Sequence, residues 1–318
     1  MITTTCGAPQ RTREEILRAF EAGYELGLAA TAKGKVADYI PGLENADPSA
    51  LGICVFSGCD EPVVFGEADT RFSIQSICKL VVLAMALKLR GFKDTFSHVM
   101  MEPSGDAFNS ILKLDTRSDL PYNPMINAGA IETVSLLVRE TSFDELLCYA
   151  RELCLDPGIA LDEAVYESEF RTGDRNRAIA YLLKSKGVME ASPEETVDLY
   201  FKLCSLSVSA RSLAGLGLVL ANDGVDPYSG KTLIAPEHVR TMLSIMFTCG
   251  MYDYSGKYSV EVGIPSKSGV GGGIVCAARG PMGVGLYGPS LDAFGNSKGA
   301  VKAMEHLSRT LRLHAFEY

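Results

Sequence analysis

The sequence predicts an α+β fold: an antiparallel sheet built from both chain ends, flanked by the terminal helices and interrupted by an inserted all-helical domain. Three observations point there. β-rich runs occur at 51–56 and 62–65 and return only after Val262; helical patterns dominate between about 95 and 250; and each end of the chain carries a helical pattern of its own. Residues 1–75 and 255–318 are therefore expected to make the sheet domain and 76–254 the mainly helical one, with a cleft at their junction.

Taken in order, Thr12-Arg13-Glu14-Glu15 is a capping-box pattern ahead of Ile16, Leu17, Phe20 and Tyr24, which predicts a first helix over about 13–32. A loop from Gly34 to Pro41 leaves it. The runs 51–56 and 62–65, separated by Ser57-Gly58-Cys59-Asp60, predict a hairpin. The stretch from Phe72 to Leu89 then reads as a helix buried all round, because nearly every position from Ile77 to Leu87 is apolar. Further helices are expected at 127–139, 143–154, 175–186, 194–206, 209–222 and 236–246. Gly273 to Ala278 and Gly283 to Gly288 form a second hairpin across Arg279-Gly280-Pro281, and a last helix runs near 297–313.

Composition narrows the function. The chain has 318 residues, 47% of them apolar, enough for a packed core. Its net charge of -9, without long like-charge runs, argues against nucleic acid or an anionic membrane as partner and leaves a small-molecule site. The N-terminal MITTTCGAPQ lacks the basic start and apolar run of a signal peptide, so a cytoplasmic protein is expected. The nine cysteines form no C-x-x-C pair and read as reduced thiols. With only four histidines, none at metal-ligand spacing, no metal or organic cofactor is called for, and lysine and tyrosine are the expected proton carriers.

Within the buried central stretch, Ser76 and Lys79 stand three residues apart, one helical turn from each other. A lysine at the edge of a core is desolvated, which lowers its pKa and suits it to act as a base toward a neighbouring hydroxyl. Ser-x-x-Lys alone is a weak signal; a second copy at Ser110 to Lys113 has no evident catalytic use. The first copy gains weight from Lys267-Ser268-Gly269 far downstream, since penicillin-recognising serine hydrolases join Ser-x-x-Lys on a helix to Lys-[Ser/Thr]-Gly on a strand. Other polar stretches have plain readings as well: Asn127 as a helix N-cap, Asp174 to Asn176 as a turn, Glu169 as a solvated charge, Tyr252 as core, and Gly271 to Gly273 as a flexible strand entry.

In order, Ala37-Asp38-Tyr39-Ile40-Pro41, Gln75-Ser76-x-x-Lys79, Glu102-Pro103-Ser104-Gly105-x-x-Phe108-Asn109, Asn123-Pro124-Met125-x-Asn127-Ala128-Gly129-Ala130-Ile131, Ser168-Glu169, Asn176, Tyr200-x-x-x-Cys204-Ser205, Cys249-Gly250-Met251-Tyr252-Asp253-x-Ser255-Gly256 and Lys267-Ser268-Gly269-Val270-x-Gly272-Gly273 closely resemble the serine-dependent glutaminases over about residues 24–308. The resemblance implies a β-lactamase/transpeptidase-like fold, L-glutamine as substrate, and homo-oligomers, commonly dimers or tetramers. It implies Ser76 as nucleophile, Lys79 as its activating partner, Tyr252 as second proton carrier and Tyr39 near the reacting amide. Asn127, Glu169, Asn176 and Tyr200 would contact substrate, with the Val270 N–H beside that of Ser76 at the oxyanion. Cys78 and Ser266 depart from the residues usual at their positions, serine and alanine. Whether Lys79 or Tyr252 takes the serine proton stays open, as do two rivals: a β-lactam or peptide hydrolase on the same scaffold, and a domain that binds glutamine without turning it over.

Overall fold

A computed structural model describes residues 12–37, 43–57, 61–105 and 119–317. Helix α1 (Arg13–Thr31) starts at the Thr12 capping box, with Thr12 Oγ1 accepting from Glu15 N–H and Glu15 reaching back to Thr12 N–H. The two hairpins come together in one five-stranded antiparallel sheet. Its strands are β1 (Gly52–Ser57), β2 (Val63–Gly66), β6 (Ser266–Ser268), β7 (Gly273–Ala278) and β8 (Met282–Tyr287), in the order β2-β1-β8-β7-β6. Pairing of β1 with β8 is what joins the two chain ends.

Alternation along these strands sets two apolar faces. Ile53, Val55, Ile274, Val284 and Leu286 face α1 and the last helix, α11 (Lys298–Thr310), burying Ile16, Phe20, Met304 and Leu307 between them. The opposite face, with Cys54, Val275 and Tyr287, meets α8 (Ala210–Ala221). That helix approaches β8 so closely that a Cβ at Gly283 or Gly285 would overlap the carbonyls of Ala214 or Ala210. Thus α8, from within the 76–254 stretch, lies against the sheet.

The remaining helices gather around α2 (Cys78–His98), whose residues from Cys78 to Leu87 are all buried. Against it pack α3 (Asn127–Ser135), α4 (Phe143–Leu153) and α9 (Pro236–Cys249); α5 (Glu163–Thr172), α6 (Asp174–Ser185) and α7 (Pro193–Cys204) complete the cluster. The central helix begins later than its apolar pattern suggests. Phe72–Ser73 form a short strand, β3, and Gln75–Ile77 a 3-10 turn, with the helix proper starting at Cys78. The break lies at Gln75, whose φ of 48° is incompatible with helix. At its far end the helix runs past Leu89 to His98, interrupted at Gly91.

Two helices have no counterpart among the expected elements: α5, and α10 (Ser255–Glu261) after the Tyr252–Tyr254 turn. A second small sheet, β3-β5-β4, pairs Phe72–Ser73 with β5 (Leu206–Val208) and β5 with β4 (Ala160–Leu161). It fixes the Gln75–Ile77 turn from behind, where Ile74 N–H donates to Leu206 O at 2.8 Å. Among the described residues, no helix is long and apolar enough to cross a membrane.

Candidate active site

Ser76 sits in the 3-10 turn between β3 and α2, 7% exposed, so it leads into the helix rather than occupying its first turn. The far wall of this turn is the chain after β6: a Cβ at Gly271 would overlap the Ser73 carbonyl, and one at Gly269 would lie 2.8 Å from Ile74 O. Glycine there lets the Lys267-Ser268-Gly269 strand end close on the serine turn. In this way the two sequence motifs meet.

Among the described residues, Lys79, 1% exposed, has no carboxylate partner. Its Nζ donates to Met125 O at 3.2 Å and to Asn127 Oδ1 at 2.8 Å. Burial brings its ammonium down to about 8, against the opposing pull of the Cys204 and Cys78 thiols. Both partners are acceptors. A neutral Lys79 amine therefore satisfies them with its two hydrogens and keeps its lone pair for a proton. Lys79 spends a hydrogen on Asn127 Oδ1, and with the amide held that way round Asn127 Nδ2 donates onward to Asn176 Oδ1 at 3.0 Å. Asn127 is thus the first residue of α3 and not its cap. The N-cap position is Ile126, without a side-chain cap, and Asn123 Oδ1 fixes the turn just ahead of it by accepting from Met125 and Ile126 N–H.

A second buried lysine lies on the other side. Lys267, 0% exposed, donates to Gly250 O at 3.1 Å and to Ser268 O at 2.5 Å, with Nζ 4.5 Å from the centre of the Tyr252 ring. Burial, and then the charge of Lys79, hold its ammonium well below the ordinary value. Tyr252 itself has a φ of 54° in a turn fixed by Ser255, whose Oγ donates to Tyr252 O and accepts from Met251 N–H. Beside it opens a cleft lined by Met125, Ile126, Cys249, Asp253 and Ser255. Val270 packs on Tyr252. Its neighbours Gly269 and Gly272 donate to Gly273 O and Gly269 O, while among the described residues the Val270 N–H takes no acceptor.

The third side carries Glu169, on α5 and 8% exposed, so it is not a solvated charge. Gln75 Nε2 donates to its Oε1 at 3.1 Å. Burial lifts the Glu169 carboxyl above the usual carboxylate range, and the Gln75 bond opposes that rise. Tyr200, buried on α7, is held protonated well above its ordinary value by burial and by the nearby Cys204 and Cys78 thiols. Those two thiols touch, Sγ to Sγ, at 3.7 Å. Ser266 serves the strand: its Oγ donates to Ile264 O and contacts the Tyr258 hydroxyl at 3.1 Å. Among the described residues, no cluster of three or more His, Cys, Asp or Glu is arranged to hold a metal.

A serine on a strained turn, a desolvated lysine and a buried carboxylate make a site suited to acyl transfer on a substrate bearing an ammonium. Comparison with known proteins agrees. The glutaminase family model matches residues 34–316. The glutaminase of Clostridioides difficile is 49% identical over 290 residues, 90% of this chain and 94% of that protein. The chain belongs to the glutaminase family. Among solved glutaminases, a probable glutaminase named ybaS superposes with a TM-score of 0.91 at 33% identity, covering 97% of this chain and all of that one. The Bacillus subtilis glutaminase in covalent complex with 5-oxo-L-norleucine, formed by reaction with 6-diazo-5-oxo-L-norleucine, superposes at 0.86 and 33% identity over 95% of this chain and 100% of that one. The fold is accordingly the β-lactamase-like α+β arrangement of these glutaminases.

Of the residues the glutaminase resemblance singles out, Lys79, Asn127 and Asn176 form one hydrogen-bonded chain. Tyr252 and Val270 share a second cluster, and Glu169 and Tyr200 lie on a third wall. Tyr39, Phe108, Asn109 and the Ser110 to Lys113 repeat fall outside the described residues. Sequence reasoning passed over Gln75 and Asn123 as parts of this site. Their signal was there: each is a lone amide in an otherwise apolar or Pro/Gly-bounded run, where a buried amide requires partners.

Proposed function

We propose that this chain hydrolyses L-glutamine to L-glutamate and ammonia through a glutamyl ester on Ser76. The observation that carries the mechanism is the pair of acceptors on Lys79, which hold a neutral amine with its lone pair free. Lys79 takes the Ser76 proton as Oγ attacks the γ-carboxamide carbon. The Ser76 and Val270 N–H groups receive the tetrahedral oxyanion. Tyr252 carries a proton to the departing ammonia, and water then attacks the ester by the same route in reverse. Tyr39 completes the proposed wall beside the reacting amide.

Glu169 takes the substrate's α-ammonium. Asn127, Asn176 and the protonated Tyr200 hydroxyl supply neutral donors for its α-carboxylate, which replaces Asn176 Oδ1 as acceptor for Asn127 Nδ2. Domains formed by 1–75 with 255–318 and by 76–254 would place this site at their junction. The same reading makes the enzyme a cytoplasmic homo-oligomer, so light scattering should give a multiple of the 34.2 kDa chain mass.

The test is ammonia release from L-glutamine by the purified protein, with L-asparagine in parallel. Ser76→Ala should lower turnover by about 10⁴ or more, in line with other nucleophile deletions. Undiminished turnover in that variant would overturn the assignment.

A further inference from the structure

We infer that Gln75, the residue before the nucleophile, is a positioning residue that keeps the Glu169 carboxylate ionised and aimed to receive an α-ammonium. This rests on the proposal that Glu169 binds that group. The side-chain amide of Gln75 is buried, and both of its hydrogens are engaged, one by Glu169 Oε1 at 3.1 Å and one by Ser73 Oγ at 3.0 Å.

Ser73 decides which way the amide faces. Its own proton goes to Cys204 O at 2.9 Å, so toward Gln75 it can only accept. A flipped amide would set its oxygen against two acceptors, Ser73 Oγ and the Glu169 carboxylate, and leave both without a donor. The relay from Cys204 O through Ser73 and Gln75 therefore presents an N–H to Glu169 and nothing else. The strained backbone at Gln75 has the same result. With φ at 48°, the side chain is directed across the turn toward α5 while Ser76, next in sequence, stands on the substrate side.

Glu169 takes no other hydrogen bond from the described residues, which leaves Oε2 for a ligand. A carboxylate this buried binds a cation well only while it stays charged, and one charge-assisted donor favours that form. Nucleophile and ammonium site are thus adjacent in sequence: one turn holds the serine and sets the carboxylate that registers the other end of the substrate.

The experiment compares L-glutamine with 4-carbamoylbutanoate, the same amide without the α-amino group, in the unaltered enzyme, Gln75→Leu and Ser73→Ala. Gln75→Leu should lower kcat/KM for glutamine by about 10- to 100-fold, mainly through KM, as loss of a charge-assisted bond implies. For 4-carbamoylbutanoate kcat/KM should stay within about twofold, since that substrate never used the carboxylate. Ser73→Ala, which frees the amide to flip without altering its length, should narrow the preference for glutamine in the same direction by a smaller factor. Equal losses for both amides in both variants would overturn the inference, because they would mark Gln75 as a support of the serine turn only; so would an unchanged preference. An unaltered enzyme that releases no ammonia from glutamine would instead overturn the hydrolase reading from which the inference starts.

Discussion

At the scale of single residues, the proposed site withholds counter-charges. Among the described residues, Lys79 and Lys267 are both buried without a carboxylate, and their hydrogen bonds go to carbonyl and amide oxygens. Such acceptors steady an amine without fixing its proton. This makes Asn127 the residue on which the reactivity of Lys79 depends, and Asn127→Asp the sharpest test. The substitution keeps the shape and puts a carboxylate 2.8 Å from Nζ. An opposite charge at that range favours the ammonium and should raise its pKa from about 8 by about 1–3 units. With Lys79 as the proposed base, activity needs the neutral amine, so the rising limb of kcat/KM against pH should move to higher pH by that amount. The variant should be nearly inactive at pH 7 and recover in part above pH 9. A limb that stays near 8 would remove Lys79 as the base.

At the scale of elements, legibility followed the balance between packing and function. Helices α1, α2, α7, α8 and α9 and both hairpins were readable because most of their buried positions are apolar. Helix α5 was not, since its buried face is Val165, Ser168 and Glu169, two of the three polar. Strands β4 and β5, of two and three residues, are too short for alternation to register. The start of α2 was misjudged because apolarity continues through a turn whose φ no pattern reveals. Motif order nominated the candidate site residues, whereas partnerships such as that of Gln75 with Glu169 depend on contacts 94 positions apart.

Helix α3 carries one further polar group that packing alone does not explain. Glu132 is fully buried, its carboxyl oxygens take no hydrogen bond from the described residues, and His98 Nδ1 is 3.3 Å from Oε1. Burial lifts its carboxyl to about 8, the Ser135 hydroxyl opposing and Glu190 adding to the rise. The folded pKa lies above the unfolded one, so the neutral acid's stability is fully present below about 4.5 and is lost as pH rises to about 8. Glu132→Gln, neutral throughout, should match the parent near pH 4.5 and exceed it by about 3 kcal/mol at pH 7, visible as a rise in Tm. A gap that does not widen with pH would mean that the carboxyl is already ionised in the fold.

At the scale of the molecule, the core bears the cost of the chemistry. The α2 segment that anchors the helical cluster is also the one that carries Lys79, so a stretch buried from Cys78 to Leu87 contains a group that is charged in water. The folded pKa of about 8 lies below the ordinary 10.5, and the sign of the linkage is opposite to that of Glu132. Unfolded chains bind the proton more tightly, so the stability associated with the neutral amine is present above about 10.5 and is lost as pH falls to about 8. Below that, the folded state holds an ammonium in the core at a cost of order 3 kcal/mol. Replacing the lysine by an apolar chain of similar length should lift this burden. Lys79→Met should therefore abolish glutamine hydrolysis and yet melt several degrees above the parent at pH 7, with the difference shrinking as pH approaches 10.5. Paired melting curves at pH 7 and pH 10 read both signs at once. A variant less stable than the parent at pH 7 would show that Met125 O and Asn127 Oδ1 compensate the buried charge fully, and that the desolvation assigned to Lys79 is not what tunes it.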